Sequence, residues 1–201
     1  VTIQAVLFDF AGVLTSSPWA ALAEAGGGDL ELIIGRYEED TDHPWHQVER
    51  GEMTIADWMT AVQELGDAQG VEVDFSPLRA LLGDMTVHDP IVDHVRALRA
   101  QGYRLALVTN NVREGSNMWR SLVPVDELFD VVIDSSEVGM RKPNPAIYHH
   151  ALEALGGVPP EQAVFLDDTP GNVEGARRAG LHAILVETPE QAIKDLDALL
   201  N

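Results

Sequence analysis

The sequence predicts an α/β fold: a parallel sheet covered by helices on both faces, with a helical insertion near its start. Three observations predict it. Short apolar runs recur at Ala5–Phe10, Leu105–Val108, Val131–Ile133, Val164–Leu166 and Ala183–Val186, as suits strands buried on both faces. Segments of helical period separate the later runs, and strands alternating with helices imply right-handed crossovers and a parallel sheet. From Ser16 to about Gly83 the strand signal fades and helical patterns take over.

Taken in order, the first run is apolar except for Asp9 and turns at Gly12. Ser17–Pro18 then opens a helix, proline being suited to a first turn, and Ala25–Gly28 ends it. Asp29 caps a second helix through Leu30, Leu32, Ile33 and Ile34. The polar stretch from Glu38 to Pro44 reads as a connection. Thr54, with Asp57 three residues on, opens an amphipathic helix through Trp58, Met59, Val62 and Leu65. Ser76–Pro77 starts another through Leu78, Leu81 and Leu82. After Asp89–Pro90 the residues Ile91, Val92, Val95 and Leu98 share one helical face, closed by Gly102. Further helices are expected from Pro145 to Leu155, Gly171 to Ala179 and Pro189 to Leu200. On this reading residues 1–15 and 86–201 form the core and 16–85 a helical cap.

Composition narrows the function. A net charge of -20 argues against nucleic acid and anionic membrane as partners, because both want a basic face. The acids are concentrated: Thr15 to Met85 holds fifteen against three arginines. No run is long and uniform enough to span a bilayer, and the first residues lack the charged-then-apolar pattern of a secretion signal. The absence of cysteine rules out disulfides and thiolate metal sites. A cytoplasmic location and a small-molecule substrate are the expectations; the oligomeric state is open.

Four polar clusters follow the predicted strands or lie in loops beside them: Asp9, Thr109–Asn110, Lys142–Pro143 and Asp167–Asp168. Each has an ordinary reading alone. Strands often stop at a polar residue, Thr109 suits a helix cap, Lys142 a solvated surface, and an Asp pair a helix N-terminus. In this order and spacing, however, the four resemble the haloacid dehalogenase (HAD) superfamily along essentially the whole chain. Gly51–Ile55, Val138–Pro143 and Phe165–Asp168 bring it nearest to subfamily IA and to the phosphatase-like N-terminal domain of soluble epoxide hydrolase.

The resemblance implies a Rossmann-like core with a C1 cap and a small phosphorylated substrate. Asp9 would be the nucleophile, forming an aspartyl-phosphate that splits hydrolysis into two easier steps. Mg²⁺ would be held by Asp9, Asp168 and the backbone carbonyl of Ala11, with Asp167 in support; adjacent carboxylates favour a hard divalent cation. Thr109 and Asn110 would bind the phosphoryl oxygens, and Lys142 would balance the charge. Asn111, Arg113 and Asn172 receive no role.

One departure stands out. Phosphatases of this superfamily carry an Asp two residues after the nucleophile to protonate the leaving group, and this chain has Ala11. General acid-base catalysis is worth ~10² to 10⁴ in rate. Either the substrate is an activated phosphate, such as an aryl or acyl phosphate, or another acid substitutes, with His43, His46, Asp40 and Asp42 as candidates. Two alternatives remain. A 2-haloacid dehalogenase needs no leaving-group acid, although the Asp167–Asp168 pair argues against it. A catalytically weak phosphate-binding module would bind without turnover.

Overall fold

The computed structural model describes residues 2–18, 30–36, 39–75 and 85–200. Past Pro18 the helix expected to reach the glycines at 26–28 lies outside them, as do the capping role of Asp29 and the helix from Ser76 through Leu82.

Five parallel strands form one sheet: β1 (Ala5–Phe8), β2 (Arg104–Thr109), β3 (Val131–Asp134), β4 (Ala163–Asp167) and β5 (His182–Leu185). Their order is β3-β2-β1-β4-β5. The chain therefore builds outward from β1 on one side and then restarts on the other, so β1 and β4 meet where the strand order reverses. Open α/β sheets place their ligands outside the carboxyl ends of the strands at that point. Ala5 to Phe8 pair with Arg104 to Leu107 on one side and Ala163 to Leu166 on the other.

Alternation along the strands divides the core in two. Val6, Phe8, Leu105, Leu107, Val164 and Leu166 face one cluster, which includes Ile91, Val95 and Leu98 of α4 (Asp89–Gln101) and Leu196 of α10 (Pro189–Leu200). Ala5, Leu7, Ala106, Val108, Ala163 and Phe165 face the other. Here Ile147, Tyr148 and Leu152 of α8 (Pro145–Ala154) and Ala176 of α9 (Pro170–Arg178) cover the sheet. Three short helices, α5 (Ser116–Arg120), α6 (Val125–Leu128) and α7 (Ser135–Val138), complete the β2–β3 and β3–α8 connections.

Between Thr15 and Val87 the described chain is helical: α1 (Leu30–Ile34), α2 (Pro44–Glu49) and α3 (Ile55–Gln69). These pack through Ile33, Ile34, Trp45, Val48, Trp58 and Val62 into a third cluster. The Thr54 cap forms as predicted: its Oγ1 accepts the Asp57 N–H at 3.1 Å and donates to Asp57 Oδ2 at 2.7 Å. Two expectations need correcting. Pro44 begins α2 rather than closing a connection, with His43 accepting the Trp45 N–H. The first strand ends at Phe8, so Asp9 and Phe10 belong to the turn that follows. The insertion leaves and returns side by side, since Ser16 N–H donates to Thr86 O at 2.8 Å and His88 N–H to Leu14 O at 2.8 Å.

Candidate active site

The carboxyl ends of β1, β2 and β4 bring the predicted residues to one edge of the sheet. Asp9 leaves β1 and is 7% exposed. Asp167 is the last residue of β4 and Asp168 follows it. Lys142 lies in the loop between α7 and α8, fully buried, with Nζ 2.7 Å from both Asp9 Oδ1 and Asp167 Oδ2. One ammonium thus bridges two strands' carboxylates. Oxygens of Asp9, Asp167 and Asp168 lie within 4.8 Å of one another.

Asn110 is drawn in as well, although toward the lysine's backbone. Its Nδ2 donates to Lys142 O at 3.0 Å and its Oδ1 accepts the Lys142 N–H at 2.8 Å. This paired bond fixes the loop carrying the ammonium. Thr109 is buried as the last residue of β2, in register with Asp134, which removes the helix-cap reading. The Asp pair does not cap a helix either: Thr169 holds the cap position of α9, and its N–H donates to Asp167 Oδ1 at 2.8 Å.

Two contributors had no role in the sequence reading. Asn172 donates from Nδ2 to both oxygens of Asp167 at 3.1 Å, and its carbonyl accepts from the buried Tyr148 hydroxyl at 2.7 Å. Asp167 is therefore engaged by Lys142, Thr169 and Asn172 at once, a fixed acceptor hub. The second is Arg141, fully buried, whose Nε donates to Glu49 Oε2 of α2 at 2.7 Å. Its neighbour in sequence, Lys142, points to the sheet; Arg141 points to the insertion. Only its place inside the Val138–Pro143 segment hints at it in the sequence, and Glu49 carries no signal.

Charge in this pocket is unbalanced. Burial, together with the negative charge of Asp167 and Asp168, pushes the Asp9 carboxyl well above its usual range despite Lys142. Burial and Asp167 push Asp168 to about 6, with Ser17 and Thr169 partly offsetting. Burial works against the Lys142 ammonium, yet Asp167 and Asp9 outweigh it and hold the pKa above its ordinary value. Three carboxylates against one ammonium leave the charge deficit of one divalent cation, and all the donors are the hard oxygens such an ion prefers. The turn is shaped to match. Gly12 has φ +84°, and a Cβ there would lie 2.0 Å from Asp168 Oδ2, so only glycine admits that carboxylate beside the β1 turn.

Of the side chains considered as alternative acids, Asp40, His43 and His46 are held by other groups and Asp42 is exposed. Asp40 takes Arg50 at 2.6 Å and Asn144 at 3.1 Å. Asp42 is exposed, and His43 bonds Leu32 O at 3.2 Å. His46 is buried and accepts the Thr41 N–H at Nδ1. Burial, then Arg141, His43 and Arg50, lower it to about 3, leaving it neutral and unable to donate as an imidazolium near pH 7.

Comparison with known proteins gives the family. Residues 3–180 match the family model of haloacid dehalogenase-like hydrolases. Phosphatase MT3486 of Mycobacterium tuberculosis is 31% identical over 99% of this chain and 96% of its own. Acyl-CoA dehydrogenase family member 10 and bifunctional epoxide hydrolase 2, both of Mus musculus, are 32% and 28% identical over 98% of this chain, which spans only 19% and 39% of their lengths. Among solved structures, a HAD-like hydrolase of Porphyromonas gingivalis shares the fold at a TM-score of 0.68 and 26% identity over 98% of both chains. A HAD family enzyme of Bacteroides thetaiotaomicron, solved with magnesium and inorganic phosphate, gives 0.62 at 22% identity over 91% of this chain and 93% of that one. The chain belongs to the haloacid dehalogenase-like hydrolases.

Proposed function

We propose that this chain is a Mg²⁺-dependent phosphatase acting on a small activated phosphate ester through an aspartyl-phosphate at Asp9. The buried cluster of Asp9, Lys142, Asp167 and Asp168, short of positive charge by one divalent cation, carries the reading. Asp9, Asp168 and the carbonyl of Ala11 would hold Mg²⁺; Asp167, with its oxygens already engaged, orients Lys142 and supports the ion indirectly. The ion would supply charge neutralisation at the phosphoryl oxygens. The segment 16–85 would serve as the cap.

This chain's residues do the rest. Lys142 holds Asp9 Oδ1 in place and opposes the charge that the phosphoryl group brings. Thr109 offers a hydroxyl to a phosphoryl oxygen, while Asn110 positions the lysine loop. Asp9 attacks phosphorus and the ester oxygen departs with its electron pair; water then attacks the same phosphorus, the bond to Asp9 breaks to return its carboxylate, and the water's proton passes to solvent as inorganic phosphate leaves. Ala11 has no proton to give, so the ester oxygen must leave as an anion.

A panel of alkyl, aryl and acyl phosphates assayed for phosphate release with and without Mg²⁺ tests the proposal. Release should require Mg²⁺ and fall roughly 10⁴-fold or more in Asp9→Asn. Absence of metal-dependent release from every ester would sink it, and tight phosphate binding without release would identify a binding module. Ala11→Asp should raise alkyl phosphate turnover, toward the ~10²-fold or more that a general acid contributes; an unchanged rate would place the missing acid elsewhere.

A further inference from the structure

Beside the charged cluster lies a space of the opposite character. A cavity of about 160 Å³ is walled by Phe10, Ala11, Trp45, Trp58, Met118 and Trp119, among others. Its floor is the β1 turn and its roof comes from α2 and α3. Two polar side chains of its wall are held by other groups, Glu49 by Arg141 at 2.7 Å and the Asn110 amide by the backbone of Lys142. Two edge-to-face aromatic pairs contribute, Phe10 with Trp119 from the core and Trp45 with Trp58 from the insertion, each with centroids 5.0 Å apart. Ala11, two residues beyond Asp9, supplies a methyl group to the wall where an Asp would supply a carboxylate.

We infer that this cavity is the leaving-group subsite and that it receives an aryl ring. The inference rests on the phosphatase reading above and names its substrate class. Size fits, since an engineered apolar cavity of ~150 Å³ holds benzene. Aromatic walls favour a ring over an aliphatic chain, because a third ring joins the two pairs in edge-to-face contact. The reaction fits independently. As Asp9 Oδ bonds to phosphorus, the phosphorus–oxygen bond breaks and its electron pair stays on the phenolic oxygen. A phenol-type group has a pKa of ~10, far below that of an alkanol, so the phenolate departs without the proton Ala11 cannot give and is protonated afterwards by solvent. The residue that removes the acid from the site also makes the cavity wall apolar.

Calorimetric titration of the Mg²⁺-loaded protein with phenylphosphonate and methylphosphonate, neither of which can lose its organic group, separates recognition from turnover. Phenylphosphonate should bind on the order of 10- to 100-fold more tightly, from the apolar surface it buries, and should change the fluorescence of the wall tryptophans. Ile55→Trp, which fills the cavity from the start of α3, should bring the ratio toward one. Equal affinity of the two phosphonates for the unaltered protein overturns the inference, and does so even where phosphate release confirms the phosphatase. Preferential binding of phenylphosphonate with no phosphate released from any ester would keep the aryl subsite and overturn the phosphatase reading instead.

Discussion

Arg141 and Lys142 are adjacent, both fully buried and both cationic, yet they serve different halves of the molecule. Lys142 reaches into the sheet edge and shares its charge between Asp9 and Asp167. Arg141 reaches the other way, pairing with Glu49 of α2 and bonding the backbone carbonyl of Glu39. The pairs differ in balance. Glu49 and Arg141 are one acid and one base, with burial raising the Glu49 carboxyl and the arginine opposing that rise. The Lys142 cluster has an excess of carboxylates. A balanced buried pair acts as a fastener; an excess of buried carboxylates favours a cation. Because one loop carries both, whatever clamps the insertion also fixes the ammonium beside Asp9.

The comparison can be broken at either residue. The largest effect is expected from Lys142→Met: phosphate release should drop ~10²- to 10³-fold, as for loss of a charge-stabilising donor, and the stranded carboxylates should cost about 3–5 kcal/mol of stability. Added Mg²⁺ should restore much of that stability in thermal melts, since a dication answers the same carboxylates. Arg141→Met should destabilise the fold by a similar ~3–5 kcal/mol, because Glu49 is left buried and unpaired. Its melting temperature should not recover with Mg²⁺ beyond the shift seen in the unaltered protein. Equal rescue of both variants would show that the two cations are not separate in role.

A smaller effect sharpens the same comparison on the insertion side. His46 lies near Arg141 and is held neutral, its pKa lowered to about 3 against an ordinary 6.5. A base depressed in the folded state gives stability that is fully present above pH 6.5 and is lost as pH falls toward 3, because only the unfolded chain gains the proton. His46→Gln should therefore flatten the acid side of the stability curve. The gap between the two proteins should change by at most ~1.4 kcal/mol per pH unit below 6. Parallel curves in denaturant titrations at pH 7, 6 and 5 would refute a buried neutral His46.

Much of this was legible because it is local. The Thr54–Asp57 cap and the α4 stripe of Ile91, Val95 and Leu98 depend on contacts within a turn or two, and spacing reveals them. Strand runs announce burial on both faces. The α2 helix leaves no mark in the sequence because Pro44–Glu49 has fewer than two turns, too short for a period, and its acidic approach reads as a loop. Asn172 carries no signal in the sequence because an asparagine in a helix has no signature of the carboxylate it will hold.

By itself, the sequence determined the alternation that yields a parallel sheet, the polar residues that follow its strands, and an alanine two residues after Asp9. The tertiary structure decided which of those residues meet. Lys142 could have been any solvated lysine until β1 and β4 were paired and the loop before α8 folded over them; Glu49 and Arg141 stand 92 positions apart. The cavity beside Ala11 exists only because the insertion's tryptophans close over the first turn of the core. Helix period and strand alternation are set by neighbours along the chain. Charge balance and enclosed apolar volume depend on groups distant in sequence, and only the folded chain brings them within a few ångströms.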